Sequence, residues 1–375
     1  MLDDPGTHSL MQYLRNLIQL DVANSSLSTD LSKTTPASND SSSTIMFLGS
    51  IGMFILLLLL LLLCIIRRTK MKIDALPHNN ITQALLEHTN SDYLVCLGDS
   101  LTHGSVSANY IPILERLLSS DKHRSHLRIV NGGINSELVY NLRQRIDTVL
   151  QLRPKVVILM IGINDIKALA VPKCGIDSKR RMNLPQIPTL DFFIENMKEV
   201  LQMLQNGLSS DSEIYVCSIP PLGEDVDSSY NAIHISRANQ LLREMTETTT
   251  IHKNKTSSSN KRGHTTTVRT PSMYYVPVFE ECTKILRHHA QIKHQPFVSF
   301  EKWSLRRTIL TSLLHYTFGI PWNTLGSMLY GYYIMIEGLH LNDRGAEIVA
   351  RSIAATLQKL PMEDIRYSFM DEEHD

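Results

Sequence analysis

Leu94-Val95-Cys96-Leu97-Gly98-Asp99-Ser100-Leu101-Thr102-His103-Gly104 is the stretch whose reading decides the fold. Apolar residues run directly into Gly-Asp-Ser, which predicts a buried strand ending in a tight turn that carries a hydroxyl. Open α/β sheets place their chemistry at the carboxyl ends of strands. A serine presented there can act as a nucleophile if a base reaches it. Taken alone, Asp99-Ser100 is equally readable as a turn or a helix N-cap, so the rest of the chain has to supply the base and the oxyanion donors.

Outward from that turn, strand and helix patterns alternate. Strands are expected at Tyr93–Gly98, Leu127–Asn131, Val156–Ile161, Ile214–Ile219 and Tyr274–Phe279. Val156–Ile161 is continuously β-branched and apolar, as a strand buried on both faces requires. Helices are expected at Val106–Ser119, Ser136–Leu150 with Ser136 as a possible N-cap, Thr189–Gly207, Ser228–Glu247 and Asn342–Leu360, from apolar residues at helical spacing. The alternation predicts an α/β fold with a doubly wound parallel sheet and helices on both faces. Two segments interrupt it. Thr248–Thr270 is rich in Thr, Ser, Lys and His and reads as a disordered surface insertion. Ile309–Ile336 has no formal charge and is broken by Gly319, Pro321, Gly326 and Gly331, which suits a buried helical hairpin better than an apolar lid over the cleft.

The amino-terminal part differs in kind. Residues 1–44 are polar and read as disordered, apart from a short amphipathic patch at Leu10–Val22. Ile45–Ile66 is nearly all apolar, and its roughly 22 residues match the roughly 20 that cross a bilayer. A single transmembrane helix is therefore expected, and not a cleaved secretory signal, since a long polar segment precedes it. Arg67, Arg68, Lys70 and Lys72 follow at once and open a basic juxtamembrane linker, 67–91. By the positive-inside tendency they put the C-terminal side in the cytosol. Glycosylation sequons at Asn24 and Asn39 suit that orientation, while those at Asn80 and Asn254 do not. A catalytic domain is expected over 92–360, followed by a C-terminal tail at 361–375. The 37 Lys and Arg balance 37 Asp and Glu, which gives nucleic acid no basic field to bind. The five cysteines lack metal-ligand spacing and fit a reducing compartment.

Two further blocks supply the missing chemistry. Gly162-Ile163-Asn164-Asp165 follows the strongest strand, where the Asn164 carboxamide can donate to a developing oxyanion. On its own it is an ordinary Asn-Asp turn. Glu337-Gly338-Leu339-His340 precedes the last helix, so His340 can take the Ser100 proton while Glu337 orients the ring. A lone histidine among fifteen is more often structural, but no packing requirement explains the ordered set of serine turn, asparagine turn and acid-x-x-His.

Over roughly Asp92–Leu360 the chain resembles the SGNH hydrolases, also called the GDSL esterase/lipase family. The resemblance rests on Gly98-Asp99-Ser100-Leu101-Thr102, Asn131-Gly132-Gly133-Ile134-Asn135-Ser136, Gly162-Ile163-Asn164-Asp165 and Glu337-Gly338-Leu339-His340-Leu341-Asn342-Asp343. It implies a three-layer α/β/α flavodoxin-like fold, with Ser100 as nucleophile and His340 as base. It also implies an oxyanion hole from the Ser100 N–H, a glycine-block N–H and the Asn164 side chain, with no cofactor or metal. Two residues depart from the family pattern. Glu337 stands where aspartate is usual, and it keeps the charge one methylene further out. Ser136 aligns with the oxyanion glycine, which keeps the N–H but loses φ freedom, so Gly132 or Gly133 is an alternative donor. The implied activity is a serine esterase or lipase. The membrane span and the apolar 309–336 segment favour lipid or other acyl esters such as lysophospholipids. The alternatives are an acetylesterase on small or sugar-linked acetyl groups and a non-catalytic membrane-tethered module. Oligomeric state is not legible.

Overall fold

The computed structural model describes residues 41–74, 79–87, 91–256, 270–294, 298–300 and 303–371. Five parallel strands form one sheet: β1 (Tyr93–Gly98), β2 (Arg128–Gly133), β3 (Val156–Met160), β4 (Glu213–Cys217) and β5 (Ser272–Val276), in the order β2-β1-β3-β4-β5. That is the flavodoxin-like order, and the parallel α/β sheet expected from the alternation is present. β1 and β3 are buried along their whole length. Each large apolar side chain so buried contributes about 1.5–3 kcal/mol relative to exposure.

Chain direction across the sheet sorts the helices. The step from β1 to β2 runs one way and all later steps run the other. Right-handed crossovers therefore put the first connecting helix on one face and the rest on the opposite face. Accordingly α4 (Ile111–Ser119) packs with the closing helix α14 (Asp343–Gln358), and α14 packs with α11 (Val278–Lys293). On the other face α5 (Val139–Arg143) and α6 (Ile146–Leu150) pack with α9 (Leu190–Gly207), which packs with α10 (Ser236–Thr256).

Several elements differ from expectation for local reasons. The helix expected from Val106 starts at Ile111, with Pro112 in its first turn. Residues 107–108 are held instead by the histidine loop: Ala108 N–H donates to the Leu341 carbonyl (2.8 Å), and Ser107 Oγ accepts from the Leu341 N–H (3.1 Å). The single helix expected over Ser136–Leu150 is two, α5 and α6, interrupted at Gln144-Arg145. The Arg145 guanidinium turns back to the Glu137 carboxylate (2.5 Å) and the Gly132 carbonyl (2.7 Å). Ser136 does not cap a helix; it sits in a turn at φ 66°. A π-helical turn at Tyr230–Ile235 leads into α10. α10 runs on to Thr256, so the first part of the expected disordered insertion is helical, and residues 257–269 lie outside the described residues. No glycine or proline stops that helix before its last described residue. α11 was not expected, although Val278, Cys282, Ile285 and Leu286 carry helical spacing and are buried.

The segment expected as a helical hairpin contains α12 (Leu305–Phe318), a short helix α13 (Trp322–Thr324) and a π-helical turn at Leu325–Tyr330. The expected linker and tail both contribute to the folded unit. In α2 (Ile81–Leu86) Ile81 is buried, and the preceding Asn80 exchanges hydrogen bonds with the Asn131 backbone. At the other end Tyr367 and Phe369 are buried, and Tyr367 Oη donates to Glu281 (3.0 Å).

α1 (Ser41–Asp74) is a 34-residue helix. Its described residues are apolar without a break over 51–65, nearly all of them exposed. Among the described residues no helix is long and apolar enough to cross a membrane. The expected span at Ile45–Ile66 extends past that stretch at both ends, and the Leu10–Val22 patch lies outside the described residues.

Candidate active site

The serine turn is built by close packing. Gly98 ends β1 where a Cβ would lie 2.2 Å from Thr102 Oγ1 and 2.3 Å from the Met160 carbonyl oxygen, so only glycine fits. Asp99 then caps a short helical turn, α3 (Ser100–His103), its carboxylate accepting from the Leu101 N–H (3.0 Å). The capping reading of Asp99-Ser100 is thus correct as far as it goes. It places Ser100 first in the helical turn, where its N–H has no intrahelical acceptor.

The histidine loop is a tight reversal. Ile336 N–H donates to the His340 carbonyl (2.8 Å), and Met335 bridges Leu341. Gly338 turns the chain at φ 97°, a conformation open to glycine and strained for other residues. The loop brings together two residues 240 positions apart: Ser100 Oγ and His340 Nε2 are 3.0 Å apart. The other ring nitrogen, Nδ1, is 2.5 Å from Glu337 Oε1. With Nδ1–H donating to the carboxylate, Nε2 is left as acceptor for the serine hydroxyl, the arrangement a general base requires. Glutamate in the aspartate position therefore reaches the ring. Ser100, Glu337 and His340 are all buried. Burial tends to raise the Glu337 carboxyl, but the His340 charge and the hydrogen bonds from His340 and Thr308 outweigh it and hold the group below its ordinary value.

Asn164 lies on the first turn of α7 (Ile163–Ala170), just beyond the end of β3, the neighbour of β1. Lys167 Nζ donates to its Oδ1 (2.9 Å), and its Nδ2 donates to the Glu137 carbonyl (3.2 Å). An ammonium can only donate, so the oxygen faces Lys167. Of the two amide hydrogens one remains for a ligand. In the glycine block, the Gly133 N–H is already given to Asn131 Oδ1 (2.9 Å). Ser136 adopts the left-handed backbone despite its side chain.

Sequence reasoning missed three supporting residues. Thr308 on α12 donates to Glu337 Oε1 (2.7 Å). Glu224, which is buried, accepts from the N–H groups of Tyr333, Ile334 and Met335 at 2.6–2.9 Å, gripping the segment that leads into the histidine loop. Lys167 is the third. Only Lys167 had a signal, its position three residues after Asn164 on a helix. Among the described residues no group of His, Cys, Asp and Glu could hold a metal ion.

Residues 96–253 match the GDSL-like Lipase/Acylhydrolase family. This part of the chain is a GDSL-like lipase/acylhydrolase domain. As a GDSL-like hydrolase it is a carboxylic ester hydrolase. No curated protein matches it. Among solved structures it is similar to a substituted form of Axe2, an acetyl-xylooligosaccharide esterase from Geobacillus stearothermophilus. That pair is 15% identical, covers 73% of this chain and 96% of that one, and has a TM-score of 0.47. It is also similar to LAE5, an α/β hydrolase enzyme from the metagenome of Lake Arreo, Spain, at 16% identity, 72% and 96% coverage and a TM-score of 0.45.

Proposed function

We propose that this GDSL-like hydrolase is a membrane-anchored serine esterase acting on lipid or other long acyl esters through an acyl-enzyme. The observation that carries the catalytic part is the unbroken relay Ser100 Oγ to His340 Nε2 (3.0 Å) and His340 Nδ1 to Glu337 (2.5 Å). Ser100 Oγ attacks the ester carbonyl carbon, and its proton passes to His340 Nε2. The oxyanion that forms accepts from the Ser100 N–H, the free Asn164 amide hydrogen and the Ser136 N–H. The intermediate collapses, His340 protonates the departing alcohol, and a water activated by the same imidazole releases the acid. Replacing Ser100 by alanine abolishes hydrolysis on this reading; full activity in that variant overturns it.

The anchor rests on the apolar run Ile45–Ile66, of which nearly all the described residues stand exposed, and on the basic cluster that follows. α1 packs against α12, the helix that carries Thr308. α12, which reaches Glu337 through the buried Thr308, also exposes Leu305, Ile309 and Phe318, so the helix presents apolar residues to its surroundings. The anchor directs the domain to the cytosolic side, and protease protection in sealed vesicles tests that. One observation favours the acetylesterase reading: Ser100 and His340 are only 4% and 5% exposed, a tight fit for a short acyl group. Rates on p-nitrophenyl esters of rising chain length separate the two, with acetyl preference counting against the lipid reading.

A further inference from the structure

A cavity of about 390 Å³ lies between α8 (Pro172–Arg181) and the residues that open α12. Phe300, Trp303 and Tyr230 form an apolar wall, with the Phe300 and Trp303 rings stacked at 5.9 Å and Tyr230 meeting Phe300 edge-on at 5.5 Å. Lys167, Lys173 and Arg181 line the same space. One carboxylate, Asp177, also lines it, and its nearest cation is Arg180 at 3.5 Å, outside the lining. Among the described residues, three cations therefore face one acid across an aromatic surface.

Lys167 ties this cavity to the catalytic centre. Its ammonium sits 4.7 Å from the Trp303 ring centroid and donates to Asn164 Oδ1 at 2.9 Å. Burial holds the Lys167 ammonium below its ordinary value, and the nearby Cys174, Asp99 and Glu337 offset that only in part. A group bound against Lys167 is thus one side chain away from the Asn164 amide.

We infer that this cavity is a subsite for a substrate whose ester lies a few carbons from an anionic oxyacid group, a carboxylate or a phosphate. Arg181 and Lys173 hold the anion, because a guanidinium and an ammonium both donate only and match oxyacid oxygens. The intervening methylenes lie on Trp303 and Phe300. This deepens the esterase reading and rests on it for the role of the ester, but binding of the anion does not require turnover.

The test uses the full chain in detergent with Ser100→Ala, so that ligands persist. Trp322→Phe leaves Trp303 as the sole tryptophan, since the chain has two. Its emission is titrated with monomethyl adipate, with 4-acetoxybutyl phosphate and with neutral methyl hexanoate. The subsite predicts that at least one anionic ester binds tenfold or more tightly than the neutral one, and the tighter anion names the group. Lys173→Gln with Arg181→Gln removes that preference, while Lys173→Arg keeps it. Equal binding of neutral and anionic esters, or a preference that survives the double substitution, overturns the subsite. If the preference holds but the unsubstituted enzyme hydrolyses none of the three, the catalytic reading fails and the subsite stands.

Discussion

Thr308 Oγ1 donates to the same Glu337 oxygen that His340 Nδ1 approaches, at 2.7 and 2.5 Å. One carboxylate oxygen thus receives both the ring that carries the proton and a hydroxyl from α12, a helix otherwise outside the catalytic blocks. Replacing Thr308 with valine removes a hydrogen bond to a charged group, worth about 1.5–3 kcal/mol. The expected result is a fall in kcat of roughly tenfold, at about 1.4 kcal/mol per decade. Glu337 then loses one of the bonds that keep its carboxyl low, so the acid limb of the rate profile moves to higher pH. Steady-state rates between pH 4 and 8 check this. An unshifted profile with unchanged kcat counts against a link from α12 to the catalytic carboxylate.

Ser136 occupies a backbone conformation that glycine adopts without cost. A non-glycine residue there stores of the order of 1 kcal/mol. Ser136→Gly is expected to raise the urea midpoint by a corresponding amount and to leave the N–H in place. A lower midpoint means that the Ser136 side chain stabilises the turn in a way its backbone angle does not reveal.

Glu224 is pushed up to about 7 by burial, against the pull of three backbone N–H groups. Alanine at this position leaves those N–H groups buried and unpaired, at about 1–3 kcal/mol each. Glu224→Ala is expected to lower stability by at least about 3 kcal/mol on that scale. Glu224→Gln keeps an acceptor oxygen and recovers much of the loss. Denaturation of the two variants side by side checks the order.

Asp99 and Asp165 follow Gly98 and Asn164 in the serine and asparagine turns, with folded values raised to about 7 and about 8, burial being the largest cause for each. Above about pH 4 the unfolded chain has lost these protons while the folded chain keeps them. The folded state then binds more protons, so stability falls as pH rises from about 4 towards 8. Asp165→Asn is neutral throughout and should show a flatter loss between pH 5 and pH 8. Its carboxamide oxygen can still accept from the Val139 N–H, as Asp165 does at 3.2 Å. Identical slopes in both proteins contradict the raised value.

The sheet was legible because β1 and β3 are unbroken apolar runs ending in glycine, a pattern that depends only on neighbours in sequence. Ser100 and Asn164 stood out because each follows such a run, and Glu337 and His340 because they directly precede the last helix. What stayed hidden depends on neighbours in space. Arg145 splits one expected helix into α5 and α6 by reaching back to Glu137 and Gly132. Leu341 draws residues 107–108 away from helix. Thr308 and Glu224 look like ordinary polar residues in the sequence and acquire meaning only from the atoms they face. The lysine that orients Asn164 was visible as a helical neighbour, but the cavity beside it was not.

The central claim is an activated hydroxyl at residue 100, and covalent labelling by a fluorophosphonate measures it most directly. The unsubstituted protein should label rapidly at Ser100, His340→Ala should label at a rate lower by at least a hundredfold, and Ser100→Ala should not label. Labelling of the unsubstituted protein that is as slow as that of His340→Ala contradicts the account, because the imidazole 3.0 Å from the hydroxyl would then not be acting as its base.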